Sequence, residues 1–180
     1  MSQQLSIWTI GHSTLAIEDF IARLQSFEIE LLVDVRSFPG SRRYPHFNRE
    51  SLKQSLNDTG IEYLHAPDLG GRRRARPDSL NMAWRNESFR GYADYMETKE
   101  FHEGIARLLE VARASRTAVM CSEAVWWRCH RSLISDYLKA NGVLVTHIMD
   151  VQKSEPHPFT SAARIVDGRL SYRGILETSS

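Results

Sequence analysis

The chain has 180 residues, 42% of them hydrophobic and 25% charged, with a formal net charge of +1. That length buries a core without help from disulfides or metals, and a near-neutral balance supplies no global field for a polyanion. No stretch reaches the roughly 18 apolar residues of a membrane span, and Met1 to Gln4 are polar and uncharged, so one soluble cytoplasmic domain over residues 1–180 is expected, with no membrane partner.

In chain order, Leu5 to Ile10 alternates and stops at Gly11, a first strand delivering His12, Ser13 and Thr14 to a loop. Ile17, Phe20, Ile21, Leu24 and Phe27 repeat at helical spacing. Glu30 to Val35 is a second short apolar run, and it ends in Asp34-Val35-Arg36. The prolines and glycine of Ser37 to Phe47 exclude regular structure, after which Asn48 is expected to cap a helix through Leu52 and Leu56. Ile61 to His65 is a third strand. Ala66 to Asn86, with Gly70-Gly71 and Arg72-Arg73-Arg74, is a long irregular segment, which in a small domain usually has a functional reason. Helical patterns follow from Ser88 to Met96 and from Phe101 to Val111. A fourth strand, Thr117 to Cys121, leads to a helix from about His130 to Ala140, and Val143 to Met149 is a fifth strand. Asp167-Gly168 between alternating residues marks a hairpin. Strands alternating with helices predict an α/β fold with a mainly parallel sheet, flanked by helices and followed by a C-terminal β-hairpin.

Such sheets bind ligands beyond the carboxyl ends of their strands. The chemically loaded stretches lie there: Gly11-His12-Ser13, Asp34-Val35-Arg36, Gly70-Gly71 with its arginines, and Cys121 to Arg131, with Asp150 after the fifth strand. Cys121-Ser122-Glu123-Ala124-Val125-Trp126-Trp127-Arg128-Cys129-His130-Arg131 concentrates both cysteines, a carboxylate and two arginines between a strand and a helix start, where the helix dipole suits a thiolate or an anion. Singly, each residue has a structural explanation, because free cysteines are commonly buried apolar groups. The spacing Cys121 to Arg128 is one residue longer than the Cys-x5-Arg loop of cysteine phosphatases, and two tryptophans replace that loop's glycines. A metal site would draw on Cys121, Cys129, His130, His12 and Asp34, but no Cys-x2-Cys or His-x3-His spacing occurs.

The motifs Thr9-Ile10-Gly11-His12-Ser13, Asp34-Val35-Arg36 with Pro39-x-Ser41-Arg42, Phe47-Asn48, Leu69-Gly70-Gly71, Gly91-Tyr92-Ala93-Asp94-Tyr95-Met96 and Cys121-x-Glu123-x5-Cys129-His130-Arg131 together resemble the bacterial domain of unknown function 488 family. The resemblance runs from Ile7 to about Ala163. It implies an α/β domain without an agreed reaction, some of whose members are labelled as DNA-repair proteins.

The expected function is a thiol-containing enzyme acting on an anionic substrate such as a nucleotide or nucleic acid. The alternatives are a non-catalytic nucleic-acid-binding module and a metal-dependent enzyme with Cys and His ligands. Cys121, His12, Glu123 and Asp34 are the catalytic candidates. Ser13, Arg36, Arg42, Gly70, Gly71, Arg128, His130 and Arg131 are the substrate-binding candidates. No cofactor or metal ligand set is assigned, His46, His65, His102, His147 and His157 are read as structural or surface residues, and oligomeric state is left open.

Overall fold

The computed structural model describes residues 3–174, in which a six-stranded sheet has the order β3-β2-β4-β1-β5-β6. Strands β1 (Ser6–Gly11), β2 (Leu31–Asp34), β3 (Glu62–His65), β4 (Thr117–Cys121) and β5 (Leu144–Asp150) are mutually parallel, and β6 (Lys153–Pro156) runs antiparallel to β5. Helices α1 (Ile17–Ser26), α2 (Arg49–Asn57), α3 (Glu87–Tyr95), α4 (Lys99–Ala114) and α5 (Arg131–Ala140) cover its faces. The chain is thus an α/β protein with a mainly parallel sheet. Among the described residues no helix is long and apolar enough to cross a membrane.

Strand β4 is buried along its whole length, as a central parallel strand must be when helices cover both faces. Its side chains alternate between two cores. Ala118 and Met120 join Phe20, Leu24, Leu52 and Leu56 of α1 and α2, whereas Val119 and Cys121 join Tyr92, Ile105, Leu133 and Leu138 of α3, α4 and α5. The chain therefore leaves β1 and β2 toward one face and β3 and β4 toward the other. Because β4 lies between β1 and β2, neighbouring strands part company at their carboxyl ends, and a crevice opens there.

The C-terminal hairpin is present as β7 (Arg164–Val166) and β8 (Arg169–Ser171), and both Asp167 and Gly168 have the positive φ that its turn needs. Strand β6 has no apolar alternation to announce it. Its four residues are all exposed, and pairing with β5 across the turn at Val151-Gln152 creates it. Asn48 does stand at the start of α2, but it caps nothing with its side chain, because Oδ1 accepts from the Ser41 amide at 2.5 Å instead.

The irregular segment after β3 is fixed by α3. Tyr92 and Tyr95 donate their hydroxyls to the carbonyls of Leu69 and Asp68, and the Arg73 guanidinium lies 3.6 Å from the Tyr95 ring centre. Asp94 accepts from the Arg76 amide at 2.8 Å, the Ser79 hydroxyl at 2.6 Å and Asn81 Nδ2 at 2.7 Å. Burial alone would raise this carboxyl, but those three donors outweigh it and hold it below its ordinary value. Asp94→Ala should cost about 1–3 kcal/mol by leaving buried donors unpaired. Its expected signature is faster trypsin cleavage within Arg72 to Arg74, and an unchanged cleavage rate would show that the segment is held by other means.

Candidate functional site

The crevice is a cavity of about 700 Å³. Its lining includes His12, Ser13, Arg36, Gly71, Cys121, Glu123, Arg128 and His130 of the sequence-predicted residues. Asp34, Gly70 and Arg131 are not in the lining but stand behind it, all of them buried. Arg42 is exposed outside it, and its neighbour Arg43 lines the wall with Arg72. Asp150, at the end of β5, is not in the lining and pairs with Arg23 at 3.6 Å.

Backbone contacts knit the two central loops. The His12 amide donates to the Cys121 carbonyl at 3.0 Å and the Ser13 amide to Ser122 at 2.9 Å. That closeness leaves no room for a side chain at Gly11, where a Cβ would overlap the Glu123 carbonyl, and Gly71 is likewise pressed against the His130 ring.

On the α1–α2 wall, Asp34 is fully buried and its carboxylate is saturated. It accepts from Arg36 Nε at 2.9 Å, Arg36 Nη2 at 2.7 Å and the Tyr63 hydroxyl at 2.5 Å. Arg36 also donates Nη2 to the Phe47 carbonyl and Nη1 to His12 Nε2 at 3.3 Å. A guanidinium can only donate, so His12 Nε2 accepts and its Nδ1–H donates to the Ser13 carbonyl at 2.9 Å. Burial, helped by the Arg36 charge, pushes His12 down to about 4, so the ring is neutral at pH 7. Asp34 and His12 thus brace Arg36 from two sides.

On the opposite wall, Cys121 is 2% exposed. Burial raises its thiol, but the neighbouring Cys129 thiol and the Arg131 charge outweigh burial and bring it down to about 7. Burial and the neighbouring Cys121 push the Cys129 thiol well above its ordinary value. While protonated, the Cys121 thiol donates to the Glu123 carbonyl at 3.7 Å. His130 lies 3.4 Å from Cys129 Sγ through Nδ1 and 3.0 Å from the Val35 carbonyl through Nε2. The carbonyl fixes the hydrogen on Nε2, so Nδ1 presents a lone pair to Cys129, and burial lowers this ring to about 4. The Glu123 side chain is exposed, and its contribution to the packing is its carbonyl.

Arg131 is 1% exposed at the start of α5. Its Nη2 donates to the carbonyls of Glu123 at 3.1 Å and Ala124 at 3.4 Å, its Nη1 to Thr9 Oγ1 at 3.4 Å, and its Nε is buried without a partner. Among the described residues no carboxylate lies at ion-pair distance from it. Nor do three or more His, Cys, Asp or Glu side chains of the described residues converge as a metal site would require.

Sequence reasoning assigned His147 and His157 to structure or surface and gave Thr9 and Asp136 no role at the site, yet all four are buried and joined by hydrogen bonds to Arg131. The available signal was Asp136, a charge placed among Leu133, Ile134 and Leu138 on the apolar stripe of α5.

Comparison with known proteins gives one match. No curated protein and no solved structure is found to match the chain. The family model described as "Domain of unknown function DUF488" matches residues 16–138, more than half of the sequence. That match takes in Asp34, Arg36, Gly70, Gly71, Cys121, Glu123, Cys129, His130 and Arg131, so the chain belongs to the DUF488 family.

Proposed function

We propose that the protein is a thiol-dependent enzyme in which ionised Cys121 attacks an electrophilic centre on an anionic substrate. The observation that carries this reading is Arg131, a buried guanidinium with no carboxylate at ion-pair distance among the described residues, whose Nη2 shares the Glu123 carbonyl with the Cys121 thiol. A charge so enclosed is tolerated only against an opposite charge or a full set of acceptors, and the Cys121 thiolate supplies the missing anion. Cys121 gives an electron pair to the new bond as the bond to the leaving group breaks, the leaving group takes its proton from the Cys129 thiol, and water then hydrolyses the covalent intermediate, freeing Cys121 and returning a proton to Cys129. Asp34 and His12 act by positioning Arg36. Arg36, Arg43, Arg72 and Arg128 give the cavity a positive lining in which only Glu123 is acidic. Hydroxyls of Ser13, Ser37, Ser41 and Ser88 stand between them. This chemistry suits a phosphate-bearing molecule, with a nucleotide or nucleic acid the best candidate, because Phe38 and Phe89 supply rings for a base.

Alkylation tests this. Iodoacetate should label Cys121 before Cys129, with half-maximal rate near pH 7, and its advantage over neutral iodoacetamide should exceed that seen with free cysteine. Inorganic phosphate or a mononucleotide should protect. If neither cysteine is labelled until the protein is unfolded, the thiol mechanism is wrong.

A second reading, a non-catalytic nucleic-acid-binding module, rests on Phe38, which is 72% exposed with the Arg72 guanidinium 5.3 Å from its ring centre. It requires oligonucleotide binding that weakens steeply with salt while Cys121 stays unreactive.

A further inference from the structure

Arg131 is also one end of a buried hydrogen-bonded chain. Its Nη1 meets Thr9 Oγ1 at 3.4 Å, Thr9 Oγ1 meets His147 Nδ1 at 2.5 Å, His147 Nε2 meets His157 Nδ1 at 2.8 Å, and His157 Nε2 meets Asp136 Oδ1 at 2.8 Å. Asp136 accepts further from the Thr160 amide at 3.0 Å, the Thr160 hydroxyl at 2.5 Å and the Tyr172 hydroxyl at 2.7 Å. Thr9, His147, His157 and Asp136 are each at most 2% exposed.

The two ends determine everything between them. A guanidinium only donates and a carboxylate only accepts. Thr9 therefore accepts from Arg131 and gives its single hydrogen to His147 Nδ1, which leaves His147 to donate from Nε2 to His157 Nδ1, and His157 to donate from Nε2 to Asp136. With uncharged rings each imidazole in this chain is an Nε2–H tautomer, and no member can then reverse without breaking a neighbour's bond. Burial above all, with the Arg131 charge, pushes His147 down to about 2, in keeping with a neutral His147 ring. Trp126 stacks on His147 at 4.7 Å and 7° and is itself anchored by its indole N–H to Glu155 at 2.9 Å. The chain is not a proton conduit, because its Arg131 end has no proton to release near neutral pH.

We propose that Asp136, His157, His147 and Thr9 form a tether that holds Arg131 as the counter-ion of Cys121, which makes them positioning residues of the thiol site. The inference rests on the thiol-enzyme reading above and adds to it the device that sets the thiol's acidity. The other ionisable groups around Cys121, namely Cys129, His130, Glu123, Arg128 and His12, lie outside the tether and remain in every variant below.

The test compares the pH midpoint of Cys121 alkylation in the wild-type protein, Thr9→Val and Thr9→Ser. Thr9→Val keeps the shape but removes the acceptor of Arg131 and the donor to His147. Its midpoint should rise by about one pH unit, and its rate at pH 7 should fall about fivefold, since an opposite charge nearby sustains shifts of this size. Thr9→Ser, which keeps the hydroxyl, should retain the wild-type midpoint, an outcome that a purely structural role would not produce. A folded Thr9→Val protein with an unmoved midpoint overturns the tether while leaving the thiol reading intact. A wild-type midpoint near that of free cysteine ends both. Nitrogen NMR of the wild-type imidazoles keeps the proposal falsifiable if Thr9→Val does not fold: His147 must be a neutral Nε2–H tautomer from pH 6 to 8, and any other state of that ring overturns the chain.

Discussion

Acidification from pH 7 to pH 5 should remove on the order of 6 kcal/mol of stability, enough to unfold a domain whose total lies near 5–15 kcal/mol. The cause is three histidines kept neutral by burial: His12 and His130 at about 4 and His147 at about 2. In the unfolded chain each titrates near 6.5. Between those values the unfolded state binds protons that the folded state refuses, so stability is complete above about pH 6.5 and declines as pH falls toward 4. At pH 5 each histidine contributes a loss of about 2 kcal/mol, from a difference of roughly 1.5 pH units at 1.36 kcal/mol each. Denaturant midpoints from pH 7.5 to 4.5 measure the effect. A flat profile from 7 to 5 would mean that these rings are solvated or charged in the folded protein.

Asp34→Ala should cost about 3–5 kcal/mol, because it strands the Arg36 guanidinium in a buried site and removes the acceptor of the Tyr63 hydroxyl. Its backbone amide partner is lost as well, since Arg36 N donates to Oδ1 at 3.1 Å. The informative companion is the double variant Asp34→Ala with Arg36→Met, which removes both charges and should lose less than Asp34→Ala alone. Urea unfolding of four proteins, the wild type, the two single variants and the double variant, decides this. If the double variant is as unstable as the sum of its parts, the pair contributes through packing rather than charge.

The parallel strands were legible because β1, β2, β4 and β5 are short runs rich in apolar residues and β3 alternates, each closed by a polar loop, and the Asp167-Gly168 turn declares its hairpin. Strand β6 was not, because Lys153-Ser154-Glu155-Pro156 owes its conformation to pairing along β5 rather than to a buried face. The crevice residues were legible for a related reason: loops after parallel strands converge wherever neighbours turn to opposite faces. What the linear pattern could not convey was which polar groups spend their capacity on one another. Asp34 reads as a free carboxylate in sequence and is fully occupied in the fold. His147 and His157, separated by ten positions and unremarkable singly, join only because β5 and the segment after β6 bring them together beside Asp136.

The parting of the connections at the strand ends has a further consequence, because the two walls of the crevice rest on separate foundations. His12, Arg36 and Arg43 stand over the cluster built from α1 and α2. Cys121, Cys129 and His130 stand over the cluster built from α3, α4 and α5. Under the proposed function, recognition and reactivity would be modular in this sense: substitutions in the Ser37 to Tyr44 loop should change what is held more than the acidity of the sulfur, and changes along α5 should do the reverse.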